Sequence, residues 1–509
     1  MIIHYKRAGR DLAKQSREIF DKALIDIPAQ KVLAHIAGFL KSHNVRGYLV
    51  GGFVRDALLG RETADIDIAV EADVREIGPH LADSLQGKFV LLDEVNRIGR
   101  IIITDWTIDV ASFTGNIEDD LTRRDFTINA MAVDLNQLTS KNRNARLLDP
   151  FGGRLDLDRG MIKMVTAAAF RDDPVRLLRA VRMAAELDFT IDNKAEPEIV
   201  RAAPLITSVP GERVREELLR LLEASHGGQV FADMEKWGLL TGLIPELQQL
   251  KGVAQPKEHH WDVFEHSLKT VSAVDFILHE GVWEYQNRNI LALVPWTEAT
   301  AAYFDRPVSS GSTRRSLLKL AALLHDIAKP ETKTFDENGR MRFLGHPEDG
   351  AAVVESVLER LRFSTKEIKL VAAMVKLHMR PTQLSQDTAP TGRAIYRYFR
   401  DAGDAGIDTL YLSLADHLAA RGPGLLPSQW EYHTALVNYV LKEHFKQKKA
   451  APAKLIDGND LINLFGMKPG AQMGALLEEI KEAQAAGEVT DREAALEYVR
   501  KYLSDVTDK

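Results

Sequence analysis

Residues 51–56 have the sequence Gly-Gly-Phe-Val-Arg-Asp, and residues 65–67 have the sequence Asp-Ile-Asp. The first motif follows an apolar run at 47–50 that is typical of a short buried strand. Two adjacent glycines remove side chains where the backbone turns sharply or approaches a ligand. We expect a helix over 54–59, closed by Gly60. A strand, a Gly-Gly turn and a helix N-terminus present backbone N–H groups and a positive dipole end, which suits a phosphate group.

The acidic pair lies on one face of the next predicted strand, 65–70. Side chains alternate across a strand, so Asp65 and Asp67 share a face. Two carboxylates at this spacing can converge on metal ions, which in two-metal sites lie about 3.5–4 Å apart. Arg55, in the first turn of the preceding helix, can fork onto phosphate oxygens. The combination predicts a metal-dependent reaction on a nucleoside triphosphate.

The composition sets limits on the remaining chemistry. The chain has 509 residues, no cysteine and a formal net charge of −7. Its length predicts several domains. The lack of cysteine excludes disulfides and thiolate metal ligands, so oxygen and imidazole groups must hold any metal. No apolar run is long enough to span a membrane, and residues 1–20 lack the apolar core of a signal peptide, which predicts a cytoplasmic protein without membrane contact.

The pattern along the chain changes near residue 172. Before it, helix patterns at 30–42 and 73–86 alternate with strand patterns at 47–50, 65–70, 88–92, 100–104 and 107–111, and 147–153 is predicted to be a turn-rich junction. After it, almost every pattern is helical, which predicts an α/β head followed by an all-α body. The predicted divisions are a charged helical N-terminal extension at 1–27, the head at 28–160, a helical neck at 161–225, a helical domain at 226–445 with an irregular insertion at 283–312, and a linker and helical tail at 446–509.

Two more motifs follow the acidic pair. Residues 119–132 have the sequence Asp-Asp-Leu-Thr-Arg-Arg-Asp-Phe-Thr-Ile-Asn-Ala-Met-Ala, and residues 171–182 have the sequence Arg-Asp-Asp-Pro-Val-Arg-Leu-Leu-Arg-Ala-Val-Arg. In this order the three motifs resemble class II tRNA nucleotidyltransferases, the CCA-adding enzymes, and the related bacterial poly(A) polymerases. Residues 461–487 resemble the C-terminal segment of many bacterial members. The resemblance implies a nucleotidyltransferase fold with a mixed β-sheet in the head, tRNA as the partner, and CTP and ATP as substrates.

The resemblance also implies roles for single residues. Asp65 and Asp67 would hold Mg²⁺, while Gly52 and Arg55 would contact the triphosphate. The other residues that it places at the nucleotide are Arg123, Arg124, Asp173, Arg176 and Arg179. Of these, Asp173 and Arg176 would contact the base edge of CTP or ATP, because a carboxylate and an arginine fork can imitate a Watson–Crick partner. Arg179 would bind phosphate.

Three positions leave alternatives open. Asp109, on the strand predicted at 107–111, is either a third active-site carboxylate or an acid that anchors a loop. Asp125 either lies beside the ribose or caps an ion-paired helix start. Asp172 stands where the family usually has glutamate, which shortens the side chain and keeps its charge.

The stretch 93–104 departs from the Gly-Thr loop of many CCA-adding members. A flexible loop in this region is linked to the switch from C to A addition in the family. Addition of only CC or only A, or poly(A) synthesis, therefore remains an alternative to complete CCA addition.

A second motif is the adjacent pair His325 and Asp326 at the end of an apolar helical run. The other candidate ligands are His266 and Asp416, together with His346 and His378 as second-metal or phosphate-side residues. Imidazole and carboxylate ligands without thiolate suit Mn, Ni, Co, Fe or Mg. The set resembles an HD-type phosphohydrolase domain, which implies either metal-assisted hydrolysis of a 3′-phosphate or 2′,3′-cyclic phosphate end, or a domain that serves only as a scaffold. His259 and His260 are weaker candidates.

Two other interpretations of the whole chain are an HD phosphohydrolase whose head only binds RNA, and a non-catalytic RNA chaperone, which would bind tRNA without releasing pyrophosphate. An HD phosphohydrolase whose head only binds RNA is disfavoured by the intact Asp-x-Asp pair and the arginine set. For each histidine taken alone, a role in the core or on the surface is more common than metal binding, and the family order of the set favours ligands. The sequence predicts no oligomeric state.

Overall fold

The computed structural model describes residues 18–140, 142, 144–285, 288–384, 389–449 and 454–507. The chain divides into two compact units, Met1–Val209 and Pro210–Lys509. The first is a mixed sheet with helices and the second is almost wholly helical, so the predicted α/β head and all-α body are confirmed. The predicted N-terminal helix falls mostly on residues 1–17, which lie outside the described residues.

The first unit is built on one eight-stranded sheet. Its strands are β1 (Ile19–Asp21), β2 (Gly47–Val50), β3 (Asp65–Val70), β4 (Lys88–Asp93), β5 (Ile98–Ile102), β6 (Thr107–Ser112), β7 (Ala132–Asp134) and β8 (Asn144–Leu148). In space they follow the order β1-β8-β7-β2-β3-β6-β5-β4. β3 and β6 run parallel, and the other neighbours run antiparallel. The strands that carry the first two motifs therefore lie in the middle of the sheet.

Helices complete the first unit. They are α1 (Ile27–Ser42), α2 (Gly51–Leu59), α3 (Val74–Ser84), α4 (Ile117–Thr122), α5 (Leu135–Leu138), α6 (Gly153–Asp158), α7 (Ala169–Asp172), α8 (Val175–Leu187) and α9 (Glu196–Ala202). A short parallel ladder joins β9 (Met161–Ile162) to β10 (Thr190–Ile191). Val50, Ala69 and Leu121 belong to one buried apolar cluster, which fixes the central strands against α4.

The segment β2-α2-β3 follows the local prediction with one difference. Gly51 has φ +67° and Gly60 ends α2 with φ +69°, conformations that favour glycine. The helix begins at Gly51, three residues earlier than predicted. Val50 supplies no side-chain cap, and the carboxylate of Asp67 accepts the Gly52 N–H instead, at 2.8 Å. A cap from the neighbouring strand therefore starts this helix, which a local pattern does not reveal.

Sequence patterns missed the outer strand pair. Residues 19–21 form β1 instead of the predicted helix, and Phe20 lies opposite Ala145 in the ladder with β8. The junction predicted at 147–153 begins too early, because residues 147 and 148 belong to β8. Three to five residues give too few alternations to signal a strand, and the buried side chains of Phe20 and Ala145 gain their partners only through long-range pairing.

The second unit contains the remaining elements. Its helices are α10 (Gly211–Glu223), α11 (Gly227–Lys236), α12 (Leu240–Leu243), α13 (Val263–Ile277), α14 (Glu298–Phe304), α15 (Arg314–Leu324), α16 (Lys329–Thr332), α17 (His346–Arg360), α18 (Thr365–Leu377), α19 (Arg380–Gln383), α20 (Gly392–Ala402), α21 (Gly406–Arg421), α22 (Pro427–Lys449), α23 (Gly458–Phe465), α24 (Ala471–Ala485) and α25 (Arg492–Thr507). Two hairpins are formed by β11 (Pro307–Ser309) with β12 (Ser312–Thr313) and by β13 (Lys333–Phe335) with β14 (Met341–Phe343). α22 extends to Lys449, into the stretch predicted as a linker.

The segment predicted as an irregular insertion is ordered where the structure describes it. It contains α14 and the β11–β12 hairpin. The Tyr303 hydroxyl donates to Asp408 Oδ2 at 2.6 Å, and the buried Arg314 pairs with the same carboxylate. Burial raises the pKa of Asp408 to about 6, although Arg314 opposes the shift. This ionic network fixes α14 to α21, so the prediction of an irregular segment is wrong for these residues.

The C-terminal helices have a core of their own. Leu461, Leu476 and Val499 pack in it, and an ion pair of 2.6 Å between Arg397 and Glu482 joins α24 to α20. Across the part of the chain that the structure describes, no helix combines the length and apolarity that a membrane crossing requires.

Candidate active sites

The acidic pair on β3 lies as the alternation predicted. Asp65 is exposed, Ile66 is buried between the two acids, and Asp67 is half-buried. Burial raises the pKa of Asp67; Arg124 opposes the shift and Asp109 adds to it. A bound cation would relieve this penalty, so the pair has the oxygen donors and the electrostatics of a site for a hard cation such as Mg²⁺.

The third carboxylate lies beside this pair. Asp109 is opposite Asp67 in the parallel ladder of β3 and β6. Arg100, opposite Asp109 on β5, donates from Nε to Oδ1 at 2.7 Å and from Nη2 to Oδ2 at 2.8 Å. Arg100 is therefore the kind of partner that an anchoring role of Asp109 requires. Asp109 also lies next to the strand face that carries Asp65 and Asp67. Sequence reasoning missed Arg100, although the registers of the predicted strands 100–104 and 107–111 could have pointed to it.

Gly51 is packed against the same carboxylate. A Cβ atom at this position would lie 2.8 Å from Asp67 Oδ2 and 3.0 Å from Arg124 Nη1. Arg124 Nε also donates to Asp120 Oδ2 at 3.0 Å, one turn earlier on α4. The neighbouring Arg123 is exposed. The glycine therefore allows a cation and a carboxylate to meet at the start of α2.

Arg55 is held in place by two partners. Its Nε and Nη2 donate to the carboxylate of Asp56 at 2.9 and 2.8 Å, and its Nη1 donates to Asn129 Oδ1 at 2.9 Å. Asn129 Nδ2 in turn donates to Asp125 Oδ1 at 3.0 Å. These hydrogen bonds fix the orientation of the Arg55 guanidinium.

Asp125 is buried, and its carboxylate accepts hydrogen bonds from several neighbouring groups. It accepts from Asn129 and from Arg179 Nη1, the latter at 3.0 Å. Burial disfavours its charge, but Arg179 and Asn129 hold the pKa of Asp125 below its usual value. Asp125 is thus an ion-paired acid that ties α8 to the segment after α4, as the structural alternative predicted. The helix cap in that alternative is not formed, because the short 3-10 turn at 127–129 begins at Phe126 without a side-chain cap.

The third motif lies at the start of α8. Arg176 Nη2 donates to the Arg123 carbonyl at 2.7 Å, and its Nε lies 3.9 Å from Asp173 Oδ2. Arg182 is buried and donates to Glu186 at 2.6 Å, away from the half-buried Arg176. The two residues predicted to contact the base thus lie together, anchored to the second motif through a backbone carbonyl.

The second unit gathers the other predicted ligands. Two groups of three have ligand atoms that all lie within 4.8 Å of one another: His266, His325 and Asp416 in the first group, and Asp326, His346 and His378 in the second. They come from α13, the end of α15, the start of α17, the end of α18, and α21. Within the described residues, no group of three or more head carboxylates converges as closely.

Asp326 faces both groups. Its Oδ2 is 3.1 Å from His325 Nε2 and 3.5 Å from His266 Nε2. Its Oδ1 is 3.5 Å from His346 Nε2 and 3.7 Å from His378 Nε2. Both oxygens are buried without a well-aligned hydrogen bond to a described residue, although Lys329 Nζ lies 2.6 Å from Oδ2. A buried carboxylate between two imidazole pairs fits one that bridges two cations.

Backbone carbonyls orient the rings. The Nδ1 atoms of three histidines lie within hydrogen-bond distance of carbonyls one turn earlier: His325 with Ala322 at 2.9 Å, His346 with Phe343 at 2.6 Å, and His378 with Val375 at 2.6 Å. A ring that donates from Nδ1 turns the lone pair of Nε2 to the centre, as a metal ligand requires. Burial lowers the pKa of His346 and lowers that of His378 to about 3, which keeps both rings neutral.

The donor set therefore fits a divalent metal centre. Four imidazoles and two carboxylates without thiolate suit Mn, Ni, Co, Fe or Mg. Lys329 also donates to Gln255 at 2.7 Å, which adds a fixed cation that sequence reasoning did not single out. Its signal was its place three residues after Asp326. The ring of His259 lies 5.4 Å from that of His266, outside both groups.

Comparison with known proteins agrees with this arrangement. Three family models match: the poly A polymerase head domain over residues 47–115 and 105–163, the probable RNA and SrmB-binding site of polymerase A over 188–250, and the HD domain over 296–421. The chain is 32% identical over 464 residues to the A-adding tRNA nucleotidyltransferase of Deinococcus radiodurans, covering 90% of this chain and 95% of that protein. The chain belongs to the tRNA nucleotidyltransferase family.

Other comparisons extend this result. This tRNA nucleotidyltransferase is 33% identical over 455 residues to the CC-adding tRNA nucleotidyltransferase of Thermus thermophilus, covering 88% of this chain and 91% of the relative. A solved structure of the Thermotoga maritima CCA-adding enzyme complexed with tRNA shares the fold, with a TM-score of 0.60 and 22% identity over 95% of this chain and 99% of that one. The resemblance drawn from the three motifs and the predicted HD domain are confirmed.

Proposed function

We propose that the head transfers CMP or AMP from CTP or ATP to the 3′ end of tRNA and releases pyrophosphate. One observation supports the proposal most directly. In this chain, which belongs to the tRNA nucleotidyltransferase family, the face of β3 that carries Asp65 and Asp67 lies beside the start of α2. The 3′-hydroxyl of tRNA is the nucleophile and the α-phosphate is the electrophile. Pyrophosphate is the leaving group, and the head aligns the three groups.

The residues of the head would divide this work. Mg²⁺ held by Asp65 and Asp67 would supply activation of the attacking hydroxyl and neutralise charge on the leaving pyrophosphate. Backbone N–H groups at the start of α2, including that of Gly52, are suited to a phosphate group. Arg55, already oriented by Asp56, presents its guanidinium to phosphate oxygens without reorganisation.

The choice of base would rest on the start of α8. Asp173 offers acceptors and Arg176 offers donors, so the pair can match the edge of cytosine or adenine. The bond from Arg176 to the Arg123 carbonyl limits where this edge can lie. Arg124 and Arg179 would stabilise phosphate charge from either side of the second motif.

A second candidate is addition of only part of the CCA end. Relatives that match nearly the full length of this chain are A-adding and CC-adding enzymes. Where the Gly-Thr loop of many CCA-adding members is expected, this chain has the β4–β5 hairpin, with Arg100 forked onto Asp109. That ion pair favours a fixed hairpin over a loop that moves when the base changes.

One experiment separates these products. Pure protein is incubated with tRNA that lacks its 3′-terminal CCA, with CTP alone, ATP alone or both, and the extended ends are sequenced. Complete CCA ends would support the leading proposal, and ends that stop after CC or accept only A would support the second. Unchanged incorporation by the Asp65→Ala variant would overturn the proposed mechanism.

We also propose that the second unit hydrolyses phosphoesters at RNA 3′ ends. Metal ions held by the two ligand groups would supply an activated water and neutralise charge on the phosphoryl oxygens. Lys329 would add a positive charge beside the reacting phosphate. Release of inorganic phosphate from a 3′-phosphorylated RNA, lost in the Asp326→Ala variant, tests this proposal.

The wider organisation is also a proposal. The head, neck, HD domain and tail would keep the boundaries predicted from the sequence. The neck would bind the nucleotide, and the helical body and tail would hold tRNA by its backbone and shape. tRNA, CTP and ATP are the proposed partners. The cytoplasmic location stays a prediction.

A further inference from the structure

The face of the head sheet that carries the acids continues to the edge of the sheet. Residues directly opposite each other on neighbouring strands share a face. Asp67 lies opposite Asp109, and Asp109 lies opposite Arg100 of β5. Arg100 in turn lies opposite Val90 of β4, which is the last strand of the sheet. One row of side chains therefore leads from the acids to the outer strand.

Two further side chains share this face next to Val90. Lys88 lies two residues from Val90, and Ile102 lies two residues from Arg100, so alternation places both on the same face. Lys88 and Ile102 are directly opposite each other. Val90 is 44% exposed, Ile102 is 48% exposed, and Lys88 is also exposed. We call Lys88, Val90 and Ile102 the outer platform.

The other face of the same two strands is covered. Ile101 is fully buried, and Phe89 packs so closely on α3 that a Cβ atom at Gly78 would collide with its ring. A strand with one face in the core normally carries polar residues on its open face. Adjacent apolar side chains on the open face of β4 and β5 instead indicate a surface that contacts another molecule.

The geometry of nucleotide transfer indicates which molecule approaches from this side. In an in-line displacement, the attacking hydroxyl and the leaving group lie on opposite sides of the reacting phosphate. The start of α2, which is suited to the leaving pyrophosphate, follows β2, and β2 and β6 flank β3 on opposite sides. The attacking RNA end therefore approaches over β6, β5 and β4. These outer two strands lie about 10 and 14 Å from β3, a span of roughly three or four stacked nucleotides.

We propose that the outer platform binds the unpaired nucleotides just upstream of the 3′-hydroxyl in the tRNA acceptor strand. The inference rests on the proposed nucleotide transfer and names the part of tRNA that the head contacts. Val90 and Ile102 offer apolar contact to the faces of bases, and every base has such a face. Lys88 supplies a cation for a backbone phosphate. The platform thus positions the strand without reading its sequence.

Binding of fluorescently labelled tRNA to the full-length protein, without CTP or ATP, tests the proposal. The double variant Val90→Thr with Ile102→Thr keeps β-branched side chains on the strands and replaces apolar groups by hydroxyls. We expect the Kd for a tRNA that ends in CC to rise about tenfold in this variant. A tRNA cut back to the last base pair of its acceptor stem should bind the variant and the wild type equally.

The matched control lies on the same strand. Leu91 is 39% exposed and lies opposite Gly99, on the face of β4 that carries Phe89. Leu91→Thr makes the same kind of exchange on the other face, so it should bind both tRNAs as the wild type does.

The salt dependence of binding tests the cation. Lys88→Gln should reduce the steepness of log Kd against log salt by about 0.7, the value for one phosphate contact on a single strand. Lys31→Gln, at an exposed lysine of α1, is the control and should leave the steepness unchanged. An unchanged steepness in Lys88→Gln would overturn the phosphate contact.

Three results would overturn the platform as a binding site for the unpaired end. They are equal binding of the CC-ended tRNA by the wild type and the double variant, the same weakening with the truncated tRNA, and the same weakening in Leu91→Thr. Sedimentation of the free protein examines a second copy as the occupant. A dimer that the double variant abolishes would also overturn the proposal. Selective weakening in a protein that adds no nucleotide would support the platform and count against nucleotide transfer alone.

Discussion

The guanidinium of Arg100 forks onto the carboxylate of Asp109, with nitrogen–oxygen distances of 2.7 and 2.8 Å. Asp109 lies opposite Asp67 in the sheet and raises the pKa of that acid. Arg100 therefore compensates a charge that would otherwise act on a candidate metal ligand. The charges of Arg100 on β5, Asp109 on β6 and Asp67 on β3 therefore act on one another across the sheet.

Removing Arg100 should change the pH dependence of nucleotide addition. In Arg100→Ala, Asp109 acts on Asp67 without compensation, so the raised pKa of Asp67 rises further. Asp67 then stays protonated to a higher pH, and the acidic limb of CTP incorporation against pH should move upward by roughly one unit. Arg100→Lys keeps the charge and should leave the limb near its wild-type position. An unmoved limb in Arg100→Ala would show that this pair does not control Asp67.

Substitution of Gly51 should cost more than substitution of Gly60. Both have positive φ, so alanine at either position carries a strain of about 1–2 kcal/mol. At Gly60 the new Cβ meets no atom within 4 Å, whereas at Gly51 it lies 2.8 Å from Asp67 Oδ2. Urea unfolding should show the larger loss for Gly51→Ala, and CTP incorporation should fall only in that variant. Equal losses in both variants would mean that the contact with Asp67 is unimportant.

The two ligand groups of the second unit should respond differently to substitution. A two-metal site is expected to hold about two ions. Because Asp326 faces the histidines of both groups, Asp326→Ala should remove both ions. Asp416 belongs to one group, so Asp416→Ala should remove one. Metal per chain after dialysis against Mn²⁺, measured by mass spectrometry, checks this. Asp349→Ala, at an exposed acid near the start of α17, is the control, and equal metal loss in Asp326→Ala and Asp416→Ala would contradict a bridging role.

Arg314 should protect the fold against the ionisation of Asp408. The pKa of Asp408 is raised to about 6, so the folded protein favours the protonated carboxyl group. The contribution of Asp408 to the free energy of unfolding is therefore present at low pH and is lost as the pH rises through that value. Arg314→Met removes the counter-charge and should lower the free energy of unfolding by about 3–5 kcal/mol at pH 8, and by less at pH 5. Urea unfolding at both pH values measures the difference.

Arg306→Met is the control for that experiment. Arg306 is exposed and lies over the Tyr303 ring, 5.3 Å from its centroid. An exposed contact of this kind contributes about 0.5–1 kcal/mol at either pH. If Arg314→Met lost the same stability at pH 5 and pH 8, the ionisation of Asp408 would not be the cause.

The central strands of the head could be predicted because their signals are local. The apolar run before Gly51 and the alternation from Asp65 to Val70 each encode an element within a few residues, and β2 and β3 have the predicted bounds. The start of α2 could not be predicted, because its cap comes from Asp67, fifteen residues along the chain. The fork of Arg100 likewise depends on strand register, which turns and long-range pairing set.

The candidate ligands of the second unit could also be predicted only in part from local signals. The pair His325 and Asp326 stands out locally, at the end of an apolar helix. That Asp326 faces two histidine pairs depends on how four helices pack, α13, α15, α17 and α18, and no spacing in the sequence encodes it.

The hydrogen bond from Gly52 to Asp67 affects how diverged descendants of this chain should be interpreted. A descendant that abandoned nucleotide addition would still need an acceptor at residue 67, because α2 has no other side-chain cap at its start. An aspartate retained there would report on folding and not on activity. Asp65 is exposed and caps no described helix, so its loss would cost the fold little. Under the mechanism proposed above, residue 65 is the position whose change in a collection of diverged sequences would mark the loss of nucleotide addition.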